Sequence, residues 1–102
     1  MSKAEARTLP PKERLILELL IAGGPQFGLQ LVQESEGRLR RGTVYVTLGR
    51  MERKGFVASE QESPAPGAIG LPRRIYRPTA LGERALRALA TLSQALAWEA
   101  RR

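Results

Sequence analysis

The sequence predicts a mainly α fold that carries one small β-hairpin and ends in a long helix. Three observations predict it. Apolar residues recur at helical spacing in three stretches before position 56. Two extended stretches flank a Pro- and Gly-rich segment between 56 and 78, and an unbroken amphipathic run closes the chain. At 102 residues the chain is large enough for one core and too small for two.

Residues 1–8 are polar and aperiodic and read as a flexible N-terminal tail. Pro10-Pro11 suits a helix start, because proline in the first position loses no needed N–H. That helix runs to about Ala22, where Gly23-Gly24-Pro25 ends it. Leu15, Ile16, Leu17, Leu19, Leu20 and Ile21 cover well over half of its wheel, whereas a surface helix needs one stripe. It is therefore expected to be covered on two sides, by its own domain and by a partner chain, with Ile16 left open as a dimer contact. A shorter helix follows from about Gln26 to Ser35, with Phe27, Leu31 and Val32 turned to the core, and Gly37 breaks it.

The third helix, within RGTVYVTLGRMERKGF at 41–56, holds the functional expectation. Val44, Leu48 and Met51 share one narrow face and should be buried. Thr43, Val46, Thr47, Arg50, Arg53 and Lys54 lie opposite, offering hydroxyls, one small apolar group and three cations. An α-helix fits the major groove, where arginine bonds guanine through two donors and Thr or Val touches a thymine methyl. Arg38, Arg40 and Arg41 stand just before the helix, where free backbone N–H groups add to their attraction for phosphate. Gly49 costs about 1 kcal/mol relative to Ala in mid-helix. Gly55 suits a left-handed cap at the end.

Phe56 to Glu62 and Arg73 to Pro78 read as two strands joined by the flexible loop Ser63–Pro72, with Arg73, Arg74 and Arg77 on a basic return. Three helices followed by a hairpin make residues 9–78 a winged helix-turn-helix domain. Residues 79–102 form the closing helix, from Thr79 to about Ala100, capped by Thr79 with Glu83 near its start. Leu81, Ala85, Leu89, Leu92 and Leu96 form one stripe, widened by Leu86. A helix of roughly 33 Å outruns so small a core. Leu89, Leu92 and Leu96 are accordingly assigned to a homodimer contact, and Trp98 falls opposite the stripe, beside Arg84, Arg87, Thr91 and Gln94.

Charge and missing residue types narrow the function. Lys and Arg total 17 against 10 acidic residues, a net charge of +7 that favours nucleic acid. There is no His, Cys or Asp. That removes the usual general base, the thiolate nucleophile and most zinc ligand sets, so neither an enzyme nor a metal or cofactor is expected. No disulfide framework and no apolar run of membrane-spanning length is present, and a cytoplasmic location is expected.

The pattern FG at 27–28, GTVYVTLGRMERKGFV at 42–57 and RRIYRPTALGERAL at 73–86 resembles the PadR-like transcriptional regulators, over roughly Pro10 to Leu92. The single C-terminal helix resembles the compact subgroup of that family. The resemblance implies a homodimeric winged-helix repressor that binds double-stranded DNA. It makes Thr43, Tyr45, Thr47 and Arg50 groove or backbone contacts, and Arg73 and Arg74 wing contacts. Two departures matter. Arg40 and Arg41 stand where the family often has a Ser-type cap, which shifts capping to Gly42 or Thr43. Val46 replaces a frequent proline and offers a methyl contact. The resemblance also implies a ligand site for a small flat aromatic or cationic inducer, with Trp98 as its residue here.

The leading reading is a sequence-specific DNA-binding repressor acting as a homodimer on a palindromic operator. Thr43, Thr47 and Arg50 would specify bases, while the flanking arginines set affinity through phosphates. The alternative is a winged helix used as a protein–protein interaction module, its basic helix meeting an acidic partner. Excess random duplex separates the two, since a protein module attracts DNA only weakly and in a salt-sensitive way.

Overall fold

The computed structural model describes residues 9–63, 67, 70 and 72–100; the expected tail and most of the wing loop lie outside the described residues. The described chain forms α1 (Pro11–Gly23), β1 (Gln26–Phe27), α2 (Gly28–Glu34), α3 (Arg41–Lys54), β2 (Val57–Gln61), β3 (Arg74–Pro78) and α4 (Ala80–Ala100). It is a mostly helical winged helix-turn-helix with a small antiparallel sheet in the order β1-β3-β2.

The sheet has one strand more than the expected hairpin. Gln26 and Phe27, read above as the opening of the second helix, are extended and pair with Tyr76 and Ile75 of β3. The reason is local. The Phe27 N–H donates to the Gln30 carboxamide oxygen at 2.8 Å, which sets Phe27 as the residue before the helix. Gln26 then turns inward, donating through Nε2 to the Leu19 carbonyl at 3.0 Å.

One core joins all the helices. Leu15, Ile16, Leu17 and Leu20 of α1 meet Leu31 of α2, the expected Val44, Leu48 and Met51 of α3, Phe56 just before β2, and Val57 and Tyr76 from the sheet. Ile16 is fully buried inside its own domain, so it is not a dimer contact. The two-sided cover predicted for α1 comes largely from this chain itself; on its last turn Ile21 stays exposed. Leu39 from the arginine-rich linker also enters the core. Its N–H donates to Ser35 Oγ at 2.9 Å, and that hydroxyl donates to the Val32 carbonyl at 2.7 Å. The link from α2 to α3 is thereby pinned, which fixes where α3 begins.

Thr79 caps α4 as its position predicts, with Oγ1 accepting the Gly82 N–H at 3.0 Å and donating to the Gly55 carbonyl. Gly55 itself has φ +84° and ends α3 in the left-handed region that glycine favours. α4 then joins the core through Ala85 and Leu86. Past them Leu92 and Leu96 are exposed, and the described chain extends 62 Å along its longest axis against 31 and 23 Å across.

Candidate nucleic-acid interface

α3 turns Val44, Leu48 and Met51 into the core and leaves Arg41, Thr43, Tyr45, Val46, Arg50 and Arg53 at the surface. Its N-cap is Arg40, extended at φ −108° and ψ 142°, and among the described residues no side chain caps it. The expected cap at Gly42 or Thr43 is corrected. Both are already helical, and the Thr43 and Val44 N–H groups close onto the Arg40 carbonyl at 3.2 and 2.9 Å. The N–H groups of Arg41 and Gly42 precede the helical bonds, as first-turn donors do. With exposed Arg38, Arg40 and Arg41 leading into and opening the helix, this end of α3 is suited to an anion.

Two residues assigned to the DNA face are drawn inward in the free chain. Thr47 is only 7% exposed, and its hydroxyl donates to the Thr43 carbonyl at 3.2 Å. The start of α1 lies beside it: Pro10, Pro11, Lys12 and Glu13 line a cavity of about 320 Å³ together with Thr47 and Arg50. Lys54 is the second. Its Nζ donates to both oxygens of Glu13, at 3.0 and 3.2 Å, so its charge is held inside the fold. Arg50 approaches the same carboxylate, Nε lying 3.5 Å from Oε2, but its side chain stays 49% exposed. The sequence gives no sign of this role for Glu13. A glutamate in the first turn of a helix already satisfies the dipole, and nothing local points to partners on α3.

The wing base holds Arg73 and Arg74. Arg73 donates to Glu62 through Nε and Nη2 at 3.1 and 3.3 Å, and its guanidinium lies 4.0 Å above the Phe27 ring. Arg74 donates to Ser59 Oγ at 3.1 Å. Both side chains remain exposed, positioned by these contacts rather than withdrawn by them. The fold brings both beside Tyr45: the three line one cavity of about 570 Å³ with Phe27 and Tyr76. Gly28 permits this approach, since a Cβ there would stand 2.6 Å from the Tyr45 ring. Burial pushes the Tyr76 hydroxyl's pKa up, and the Glu52 carboxylate adds to the rise. Tyr76 therefore lines this wall as a neutral phenol.

The dimer and ligand candidates lie apart. Leu89 is half-buried, Leu92 and Leu96 are exposed, and Trp98 is 62% exposed, roughly 24 Å along α4 from Gly82 at the usual rise. No metal-binding cluster of His, Cys, Asp or Glu occurs among the described residues, and no described helix is long and apolar enough to cross a membrane.

Among curated proteins none matches the chain. Solved structures do. A PadR family transcriptional regulator from Eggerthella lenta DSM 2243 is 28% identical, with a TM-score of 0.68 over 85% of this chain and 75% of its own. A PadR-like transcription factor from Bacteroides fragilis is 24% identical, with a TM-score of 0.73 over 88% and 86%. PadR of Bacillus subtilis, solved in complex with operator DNA, shares the fold at 19% identity and a TM-score of 0.67, over 81% of this chain and 48% of its own. The family model for the transcriptional regulator PadR-like family matches residues 16–88, from the middle of α1 into α4. The chain belongs to the PadR-like family of transcriptional regulators.

Proposed function

We propose that this chain is a homodimeric repressor that reads a two-fold-symmetric DNA operator with α3. One observation carries the reading. The N-terminus of α3 has no side-chain cap among the described residues and is led into by exposed Arg38, Arg40 and Arg41, while Thr43, Tyr45, Val46, Arg50 and Arg53 follow along its exposed surface. The three arginines suit phosphates, and the residues beyond them suit base edges. Family membership and the operator complex of the Bacillus subtilis relative support the same reading.

The dimer is assigned to the exposed stripe of α4, Leu89, Leu92 and Leu96. A two-fold axis there would set two reading helices on half-sites roughly 34 Å apart, one turn of duplex. Trp98 is assigned to a small flat aromatic or cationic ligand that releases the operator. As the chain's one Trp, it reports on its own site.

Fluorescence anisotropy on a duplex selected from random sequence, with excess random competitor, tests the DNA reading. Binding that resists competitor is expected, and Arg50→Ala should weaken it by about 1–3 kcal/mol while random duplex is bound nearly as before. Equal loss on both duplexes would reduce Arg50 to a phosphate contact. Quenching of Trp98 by aromatic cations, in step with release of the duplex, is the expected ligand result. Release without quenching would move the ligand site off Trp98.

A further inference from the structure

One carboxylate outside the reading helix holds two of that helix's cations, and it holds them differently. Glu13, in the first turn of α1, is 1% exposed. Its hydrogen bonds to Lys54, at 3.0 and 3.2 Å, engage both of its oxygens. The Lys54 side chain is 12% exposed; drawing it out to a phosphate would strand a carboxylate in the interior, which is strongly unfavourable. Arg50 has the looser contact, 3.5 Å from Nε to Oε2, longer than a charge-assisted hydrogen bond. The approach is through Nε, and neither terminal nitrogen is hydrogen-bonded to Glu13. The terminal Nη1 and Nη2 pair is left for the two-donor bond that the O6 and N7 of guanine accept.

We propose that Glu13 sorts the cations of α3, withholding Lys54 from DNA and orienting Arg50 toward a base. Glu13 is then a positioning residue for sequence discrimination, although it touches no duplex itself. An untethered arginine on an exposed helix reaches neighbouring phosphates as readily as a base edge, and phosphate contacts carry no sequence information. This inference rests on the DNA-binding reading above.

The deciding variant removes both interior charges together, Glu13→Gln with Lys54→Met, leaving the net charge unchanged. Affinity for the selected operator and for random duplex is measured across salt, with Arg50→Ala and the triple variant beside it. In the Arg50→Ala background, where a released Arg50 cannot add a phosphate contact, the pair of changes should leave the salt slope unaltered, because Lys54 neutralises no phosphate. With Arg50 present, the operator-to-random ratio should fall about tenfold, one good two-donor base contact being worth that order of discrimination. In the Arg50→Ala background the same pair of changes should leave the ratio where it was. A slope shallower by about 0.9 in that background would show Lys54 on a phosphate and overturn the withholding. A ratio that falls equally with and without Arg50, or that does not fall, would overturn the positioning. Should the double variant fail to fold, Glu13→Gln alone carries the ratio measurement. An unaltered protein that selects no duplex overturns the DNA reading and this inference together; one that selects a duplex while the variants miss their expected results overturns only this inference.

Discussion

α1 and α4 both carry more apolar surface than one small domain requires, α1 in width and α4 in length, and they meet opposite fates. In α1 the stripe is taken up within the chain, where Leu15, Ile16, Leu17 and Leu20 are all buried. In α4 only Gly82 is fully buried, Ala85 and Leu86 pack against the core, and Leu92 and Leu96 stand in solvent. Apolar periodicity thus marks a surface suited to burial without saying whether its own chain buries it. Position decides that. α1 lies among α2, α3, α4 and β3, whereas α4 leaves the domain after its first turns. The burial of Glu13 beside Lys54 belongs to the same contrast, since a helix with neighbours on several sides carries even its charged residues inside.

Paired truncations sharpen this contrast most. Leu17→Ala should destabilise by about 2–5 kcal/mol, the range for emptying a fully buried leucine. Leu92→Ala should change the stability of the isolated chain by no more than about 0.5 kcal/mol, as exposed substitutions do. It should instead weaken self-association. Urea titration at low protein concentration and sedimentation velocity read the two effects separately. A Leu92→Ala chain that unfolds early even when dilute would break the contrast, placing Leu92 in the domain's own core.

The next effect lies where α4 joins the domain. A Cβ at Gly82 would overlap the carbonyl oxygen of Phe56 and press on Leu17 Cδ2 at 3.0 Å. Gly82→Ala should therefore cost about 1–3 kcal/mol as an overpacking change. It should also alter the angle at which α4 leaves the domain, and with it the spacing of half-sites chosen from random duplexes. Unchanged stability would mean that the joint yields readily, and that α4 is held by Ala85 and Leu86 instead.

Much of this architecture is legible in the sequence, and what is not shares a physical origin. Breakers and caps located the helices: Gly23-Gly24-Pro25, Gly55 and Thr79 each act through their own backbone or hydroxyl, which sequence shows directly. β1 escaped because two residues are too few for an alternating pattern; the Gln30 that ends the strand was its one local mark. At the interface, the wheel separated the core face of α3 from the outer one and correctly left Thr43, Val46, Arg50 and Arg53 exposed. It misplaced Thr47 and Lys54, because an angle on one helix does not reveal which helix lies alongside. Lys54 meets a glutamate 41 positions away, and no periodicity spans that distance.

Gly49 offers the smallest and finest comparison, with Gly82. Both are helical glycines, yet a Cβ at Gly49 would meet only Arg53 Nη1, at an ordinary 3.7 Å. Nothing described in the free chain uses its lack of a side chain, so Gly49→Ala should stabilise α3 by about 1 kcal/mol, read as a higher urea midpoint at unchanged slope. Gly49 nevertheless stands between exposed Val46 and Arg53 on the surface assigned to the groove, where a missing Cβ lets a helix backbone approach a ligand closely. A cost with no return in the free protein points to a return in the complex. Gly49→Ala is therefore expected to bind operator more weakly while folding more firmly. Undiminished binding would show a glycine that is merely tolerated, and would leave Val46 and Arg53 without a closely apposed backbone between them.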